Sequence, residues 1–471
     1  MKKLTLAISS VLLAASTYDV QATNGYFAHG YSSSEKGTAG AGVAWGRDSL
    51  AIATNPANLM HLEERTDLGF SIFNPNRSYT ITGNPSLPAG FTPVIGGFPG
   101  CANPGVEPCQ VPFSQTPGKV DSSRNYFVIP SFGMTFDIDD SSKWGIAIYG
   151  NGGMNTQYES GSAVVLDPMT NTMVELPGTF GAGDAGVDLS QLFVNATYAW
   201  QVNETVDVGV SFIYALQAFE ATGLANFQNI TLDGTKLTNN GHDLSHGYGF
   251  KLGANFALSD NVTLGVSYQS EMEMSDFDDY AGLFAQDGGF NIPSTYTVGL
   301  AWNTSERSTL LLDFQTINYS DIDSIGNGIA PLLTGQCVDA LNNTIFNGMT
   351  PSPATGAGCL GGSNGAGFGW DDVDVIKLGY EWTSGDDTWR LGYSTTDQPI
   401  GSSEVNFNIL APGVMEDHFT VGYTTKMNDT EVTFHFMYAP SVDVTGTSSF
   451  DPGQTIELEM DQFEVGVSFR F

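Results

Sequence analysis

The sequence predicts an all-β protein: a fourteen-stranded antiparallel transmembrane β-barrel with a small N-terminal hatch plugging its lumen. Three observations carry this. Apolar residues alternate with small or polar ones at a period of two along most of the chain. Short turns alternate with long loops between these segments. Beyond the N-terminus no stretch approaches the 18 or more apolar residues of a spanning helix, so a membrane protein of this kind must cross as a closed barrel, because lipid offers no partner to an open sheet edge.

The first residues set the compartment. Met1-Lys2-Lys3 is a basic start, Leu4 to Ala15 a short apolar run, and Val20-Gln21-Ala22 offers small residues before a cut. Residues 1–22 therefore read as a secretory signal peptide. The hatch is assigned to residues 23–66 and the barrel to residues 67–471.

Strand by strand the register is regular. A first strand surrounds Leu68, Phe70 and Ile72; in the second, Val128, Pro130, Phe132, Met134, Phe136 and Ile138 take one face while Ser131, Gly133, Thr135 and Asp137 take the other. Asp139 to Ser142 turns the chain, and Trp144, Ile146 and Ile148 resume the apolar face. The pattern recurs from Leu192 to Val202, Val206 to Tyr214, Tyr248 to Leu258, Val262 to Tyr268, Tyr296 to Trp302, Leu310 to Phe314, Ile376 to Trp382, Trp389 to Tyr393, Phe419 to Tyr423, Val432 to Tyr438 and Phe463 to Phe471. Six connections are turns of about three to six residues and seven are loops of roughly 20 to 50, the longest near 83–123 and 320–371. Sorting loops by length puts both termini on the short-turn, periplasmic side. Aromatics near strand ends, among them Trp144, Tyr198, Trp200, Trp302, Tyr380, Trp382 and Trp389, suit the two membrane interfaces.

Charge narrows the function. With 16 Lys+Arg against 51 Asp+Glu the net charge is −35, which excludes nucleic-acid binding, since nothing could replace the phosphate counterions. No Gly-x-Ser-x-Gly occurs and the six histidines are scattered along the chain, so an enzyme is not expected, nor any cofactor or metal. Gly181-Ala182-Gly183-Asp184-Ala185-Gly186 fits a dinucleotide fingerprint by letter but lacks its strand-to-helix context.

Residues 23 to about 66 do not alternate and carry the run Gly37 to Gly46, rich in Gly and Ala, whose small side chains allow close packing; Asp48 is placed to cap a helical turn that Pro56 stops. Asn24-Gly25-Tyr26, this Gly/Ala run, Arg47-Asp48 and Asn55-Pro56-Ala57-Asn58-Leu59 resemble the hatch of the FadL-type outer-membrane transporters for long-chain fatty acids and related hydrophobic compounds. Ile292 to Leu300, Asp313 to Ser320, Arg390 to Tyr393 and Asp397-Gln398-Pro399-Ile400 are similar to other segments of that family. The resemblance implies a monomer in a Gram-negative outer membrane that takes ligand at its loops, passes it inside and releases it sideways into the membrane. It places the hatch motif at Asn55, Pro56 and Ala57, ligand contacts at Asn24, Gly25, Tyr26 and Phe27, and a lateral opening at a kink of the third strand, where Gly150-Asn151-Gly152-Gly153 interrupts the pattern. Glycine inside a strand marks a bulge or ends the strand, and both readings stand here.

Alternation turns Lys251, Lys377 and Arg390 inward, where they bind a ligand carboxylate or pair with Asp313 and Glu381. Cys101 with Cys109 and Cys337 with Cys359 suit local disulfides in two long loops of an exported protein, other pairings remaining open. The acidic stretch Glu271 to Asp279 reads as a solvated loop or as a holder of divalent cations against lipopolysaccharide phosphates. The C-terminal strand ending on Phe471 resembles the signal read by the barrel assembly machinery. Partners are thus outer-membrane lipid, lipopolysaccharide and a hydrophobic small molecule. The expected function is passive uptake of long-chain fatty acids or similar compounds; the alternatives are an aromatic or alkane hydrocarbon channel within the family, and a porin for polar solutes or an adhesive barrel outside it.

Overall fold

The computed structural model describes residues 24–85, 113–167, 172–333, 337, 354–428 and 430–471; residues 1–22 and the pair Cys101 and Cys109 lie outside them. Fourteen strands form the wall: β1 (Arg65–Thr82), β2 (Phe127–Asp139), β3 (Ser142–Asn155), β4 (Gly186–Asn203), β5 (Val206–Thr222), β6 (Asp243–Ser259), β7 (Val262–Gln269), β8 (Thr295–Ser305), β9 (Ser308–Ile317), β10 (Val373–Ser384), β11 (Asp387–Thr396), β12 (Asp417–Met427), β13 (Thr430–Thr447) and β14 (Thr455–Arg470). Each is antiparallel to its chain neighbour, and β14 pairs with β1 from Asp67↔Arg470 to Thr82↔Thr455, which closes the ring and leaves no free edge. Among the described residues no helix is long and apolar enough to cross a membrane.

Period-two patterning explains the wall. Phe70, Phe212, Leu252, Leu312, Leu378 and Phe434 stand exposed on its outer face, where lipid covers them, while their strand neighbours turn inward. The short turns are fixed by local side chains: Asp139 Oδ1 accepts from the Ser141 backbone N–H at 2.9 Å, and Asn203 Oδ1 from that of Thr205 at 2.9 Å. A separate three-stranded sheet of Phe113–Gln115, Ser162–Asp167 and Thr172–Pro177 folds in the loops above the barrel.

One expectation needs correction and one open reading is decided. The last loop, 448–454, is short rather than long, because β13 and β14 run well past the apolar segments that announced them. The glycines of β3 do not end the strand. A register shift between Gly150 and Gly152 bulges it, and pairing with β4 then continues to Asn155↔Asp188. The loop-side half of the inner face is mixed: Phe73, Tyr79, Phe127, Leu189, Phe193, Ile213 and Phe219 are buried there beside Gln191 and Gln217.

Candidate functional site

Residues 24–60 are almost wholly buried and hydrogen-bond to strands right round the ring, which places the segment in the lumen. Lys36 Nζ donates to Glu464 on β14, the Ala39 N–H to Thr420 Oγ1 on β12 (2.9 Å), and the Gly42 and Val43 N–H groups to Asp313 Oδ2 on β9 (2.8 and 2.9 Å). Arg47 pairs with Glu381 on β10, the Ser49 N–H donates to Asp67 on β1 (2.9 Å), and Lys143 on β3 donates to the Leu62 carbonyl.

A belt of strand glycines makes room for this segment. A Cβ on Gly253 would lie 1.9 Å from Asn55 Oδ1, one on Gly133 2.3 Å from Ser49 Oγ, one on Gly392 2.3 Å from the Thr38 backbone, and one on Gly209 2.5 Å from Pro56. Gly265 and Gly422 meet Val43 and Gly37 in the same way. Pairing joins Gly209 to Gly253, Gly265 to Gly299, and Gly379 to Gly392, so part of the belt runs from strand to strand. Hatch backbone comes close at Gly209, Gly265, Gly392 and Gly422, and the Asn55 and Ser49 side chains at Gly253 and Gly133.

The predicted motif sits at the centre of this fit. Asn55 caps the 3-10 turn Pro56–His61 by accepting from the Ala57 N–H, and its amide donates to the Val43 carbonyl (2.7 Å) and to Asn255 on β6 (3.0 Å). Asp48 does cap a turn, Ser49–Ala53. That turn ends ahead of Asn55, which is extended as the residue before a proline, and Pro56 opens the next turn at the first helical position, where its missing N–H costs nothing.

The three predicted cations all point inward and all have partners. Lys251 Nζ donates to the Ala53 carbonyl, Lys377 Nζ to the His29 carbonyl at 3.2 Å, and Arg390 to Glu381 at 2.6 Å and to Thr424 Oγ1 at 2.6 Å. Lys251, Lys377 and Asp313 of the wall and His29, Tyr31 and Thr54 of the N-terminal segment line a polar cavity of about 20 Å³ between the two. Beside it Glu35 accepts from the Tyr31 N–H and the Thr54 hydroxyl, and burial raises its carboxyl above the usual range.

At the other end of the hatch, Asn24 to Phe27 forms a tight turn that meets the predicted kink. Phe27 bridges to Gly152, the Ala28 N–H donates to the Asn151 carbonyl (2.8 Å), and the Gly153 N–H to the Tyr26 carbonyl (3.1 Å). The bulge in β3 thus leaves backbone groups that the hatch turn satisfies. Sequence reasoning named both halves of this contact but not the cage that completes it: Tyr319, Trp370 and Phe290 pack on Tyr26 at ring separations of 5.2, 6.0 and 6.4 Å. They come from loops with no period to reveal them.

Above the cage lies an apolar pocket walled by Phe219, Phe227, Phe284, Phe368, Phe407 and Leu410, with no charged side chain in its lining. Its free volume is about 40 Å³, so an entering ligand must part the side chains. Phe284 packs at a tilt against Phe290 (4.8 Å), Phe290 lies by Tyr26, and Tyr26 by Phe27 (5.1 Å), giving an aromatic line from the pocket to the kink. The pocket's Leu360 adjoins Cys359, which is disulfide-bonded to Cys337.

Two clusters join residues distant in sequence. Three of the scattered histidines gather in the lumen: His29 stacks on His418 (6.0 Å), and His435 lies 3.4 Å from Glu464. At the rim, Asp188 bonds His242 (3.1 Å), Asn155 and Arg124, tying strand ends together; with Glu220 and His242 it also forms a group of ligand atoms close enough for a metal ion, but Arg124 and Asn155 already occupy its oxygens.

A family model described as outer membrane protein transport protein (OMPP1/FadL/TodX) matches residues 12–444. The chain belongs to this family. It is therefore an outer-membrane transport protein for hydrophobic compounds, of a Gram-negative bacterium. A search of curated protein sequences returns no significant match. Among solved structures, a Pseudomonas aeruginosa FadL homologue aligns over 95% of this chain and 99% of its own at 14% identity and a TM-score of 0.61. The Pseudomonas putida toluene transporter TodX aligns over 95% and 99% at 15% identity and 0.59, and the Ralstonia pickettii toluene transporter TbuX over 94% and 98% at 14% and 0.54. At these identities the likeness speaks for the shared barrel and leaves the ligand of this member to its own residues.

Proposed function

We propose that this member carries long-chain fatty acids or compounds of similar hydrophobicity into the outer membrane by passive diffusion, as a monomer and without catalysis. Ligand enters the loop pocket, passes the hatch turn at Asn24 to Phe27, and leaves sideways through the bulge of β3. The aromatic line from Phe284 to Phe27 supports this most directly, because it joins pocket and bulge by apolar contact. Solvation gives the direction: moving a chain of about 15 methylenes from an apolar pocket into water costs about 12 kcal/mol at roughly 0.8 each, whereas entering lipid costs almost nothing. In this reading residues 23–66 act as the hatch, the strand ending on exposed Phe471 is the segment presented to the assembly machinery, and lipopolysaccharide surrounds the rim.

One observation favours neutral aromatic or alkane hydrocarbons as the cargo. The pocket lining holds no cation, and Lys251, Lys377 and Arg390 are spent on the hatch and on Glu381. Proteoliposome uptake of labelled oleate and labelled toluene, each competed by the other, decides between the cargoes. Entry of neither, with swelling in sugars instead, would replace both by a polar porin.

A further inference from the structure

Tyr319 follows β9 and is held from both sides. The Asn318 side chain donates to Ser294 Oγ at 2.8 Å, and Asp372 accepts from the Ser320 N–H at 2.9 Å. Its ring is fully buried against Tyr26, Phe27 and Trp370, at separations of 5.2, 5.8 and 5.2 Å. The hydroxyl does more than pack. It donates to the Asn24 carbonyl and accepts from the Tyr26 N–H at 3.2 Å, so one oxygen holds both limbs of the hatch turn. Gly25, between them, has φ +64°, and a Cβ there would lie 2.7 Å from that hydroxyl, so the turn is shaped to this contact.

The far side of the same turn bonds to the β3 bulge. β3 and β9 are six strands apart one way round the ring and eight the other, so the tight turn is held between two anchors that come from distant parts of the wall. On the bulge side the anchor is backbone and cannot be removed without rebuilding the strand. On the β9 side it is one side-chain hydroxyl.

We propose that the Tyr319 hydroxyl is the latch of the hatch turn: while its two bonds hold, residues 24–27 block the way from the loop pocket to the bulge, and when they break the turn swings clear with the ring cage left in place. What the latch controls rests on the transport reading above; the latch itself does not. A positioning role of this kind is separable from packing, because Tyr319→Phe keeps the ring.

The test is hydrogen–deuterium exchange of the full-length protein in detergent, read by mass spectrometry, on wild type, Tyr319→Phe and Gly25→Ala. Loss of two hydrogen bonds of ordinary strength is expected to speed exchange in the peptide covering residues 24–30 about tenfold and to leave residues 36–62 unchanged. Gly25→Ala attacks the contact from its other side and should give the same pattern. Unchanged exchange at 24–30 in both variants overturns the latch, as does acceleration spread evenly over 24–62, which would mark Tyr319 as a packing residue only. Toluene and oleate uptake is measured in parallel. Entry severalfold faster in both variants supports the latch as the gate; local acceleration in a protein whose wild type admits neither compound upholds the latch and sinks the transport reading.

Discussion

The two halves of the lumen are built on opposite principles. On the periplasmic side the inner face is rich in glycine and charge, and Gly133, Gly209, Gly253, Gly265, Gly392 and Gly422 there lie against residues of the 24–62 segment. On the loop side Phe, Tyr, Leu and Ile join a few amides such as Gln191 and Gln217, around a pocket without a charge in its lining. Close backbone packing with buried ion pairs gives one seating for the hatch, since any shift leaves donors and charges unsatisfied. Apolar walls specify no such register, and side chains in contact only through dispersion can part for a guest. In the transport reading proposed above, these inward positions of one and the same strands make a rigid stopper under a yielding antechamber.

That contrast breaks most visibly at Lys36 and Glu464, which are 6% and 2% exposed. Glu464→Leu leaves the Lys36 ammonium buried without its carboxylate, which costs about 3–5 kcal/mol. The hatch should loosen, seen as protease cleavage within residues 24–62 and as ion current through planar bilayers, while the barrel keeps its heat-resistant migration on gels. The double variant Lys36→Met with Glu464→Leu should recover most of the loss, because a well-packed apolar pair is close to neutral. No recovery would mean that the charge has a role beyond seating the hatch.

A smaller effect is expected from Gly392→Val. The added side chain must enter the space of the Thr38 backbone, and overpacking of this kind costs about 1–3 kcal/mol. Current should rise again, without loss of the barrel. Gly401→Val, at a position without positive φ where a Cβ meets only Ser403 Oγ at 3.8 Å, serves as the control.

How much of this the sequence disclosed depends on the range of the interactions. The wall was legible because lipid and lumen impose a period of two on every strand, so Phe212 against Ser211 announces its own orientation. The same period marked Lys251, Lys377 and Arg390 as inward. It also held the glycine belt, visible in Gly209, Gly253, Gly265 and Gly392 as inward positions without side chains, a signal that sequence reasoning passed over. The bulge in β3 was readable as a possibility, but only pairing with β4 on both sides of Gly152 distinguishes it from a strand end. Tyr319, Trp370 and the pocket phenylalanines were out of reach. They meet through loops separated by tens to hundreds of residues, and no local pattern records which loops will touch.

In the yielding half, Phe284→Ala removes a ring that touches Phe219 at 4.6 Å and Phe290 at 4.8 Å, thinning the aromatic line without touching the hatch. Half-saturation for toluene should rise about tenfold, as expected for losing one aromatic wall of an apolar site. Bilayer current should stay at the wild-type level. A gain in current would show that the antechamber also seats the hatch, and the division between the halves would fall.

The smallest effect is expected where the two halves meet, at Lys377. Its ammonium donates to the His29 carbonyl of the hatch and lies beside Asp313 across the β9–β10 pairing. If that charge only seats the hatch, Lys377→Met changes oleate and toluene uptake by the same factor, and their ratio moves by less than about twofold, because neither cargo meets the ammonium directly. If a fatty carboxylate docks there, oleate alone suffers, by the tenfold or more that one charge-assisted hydrogen bond of about 1.5–3 kcal/mol supplies. Arg390→Met repeats the comparison at a cation already held by Glu381 and Thr424. A drop confined to oleate in either variant moves the carboxylate site down into the polar half, and with it the boundary drawn between stopper and antechamber.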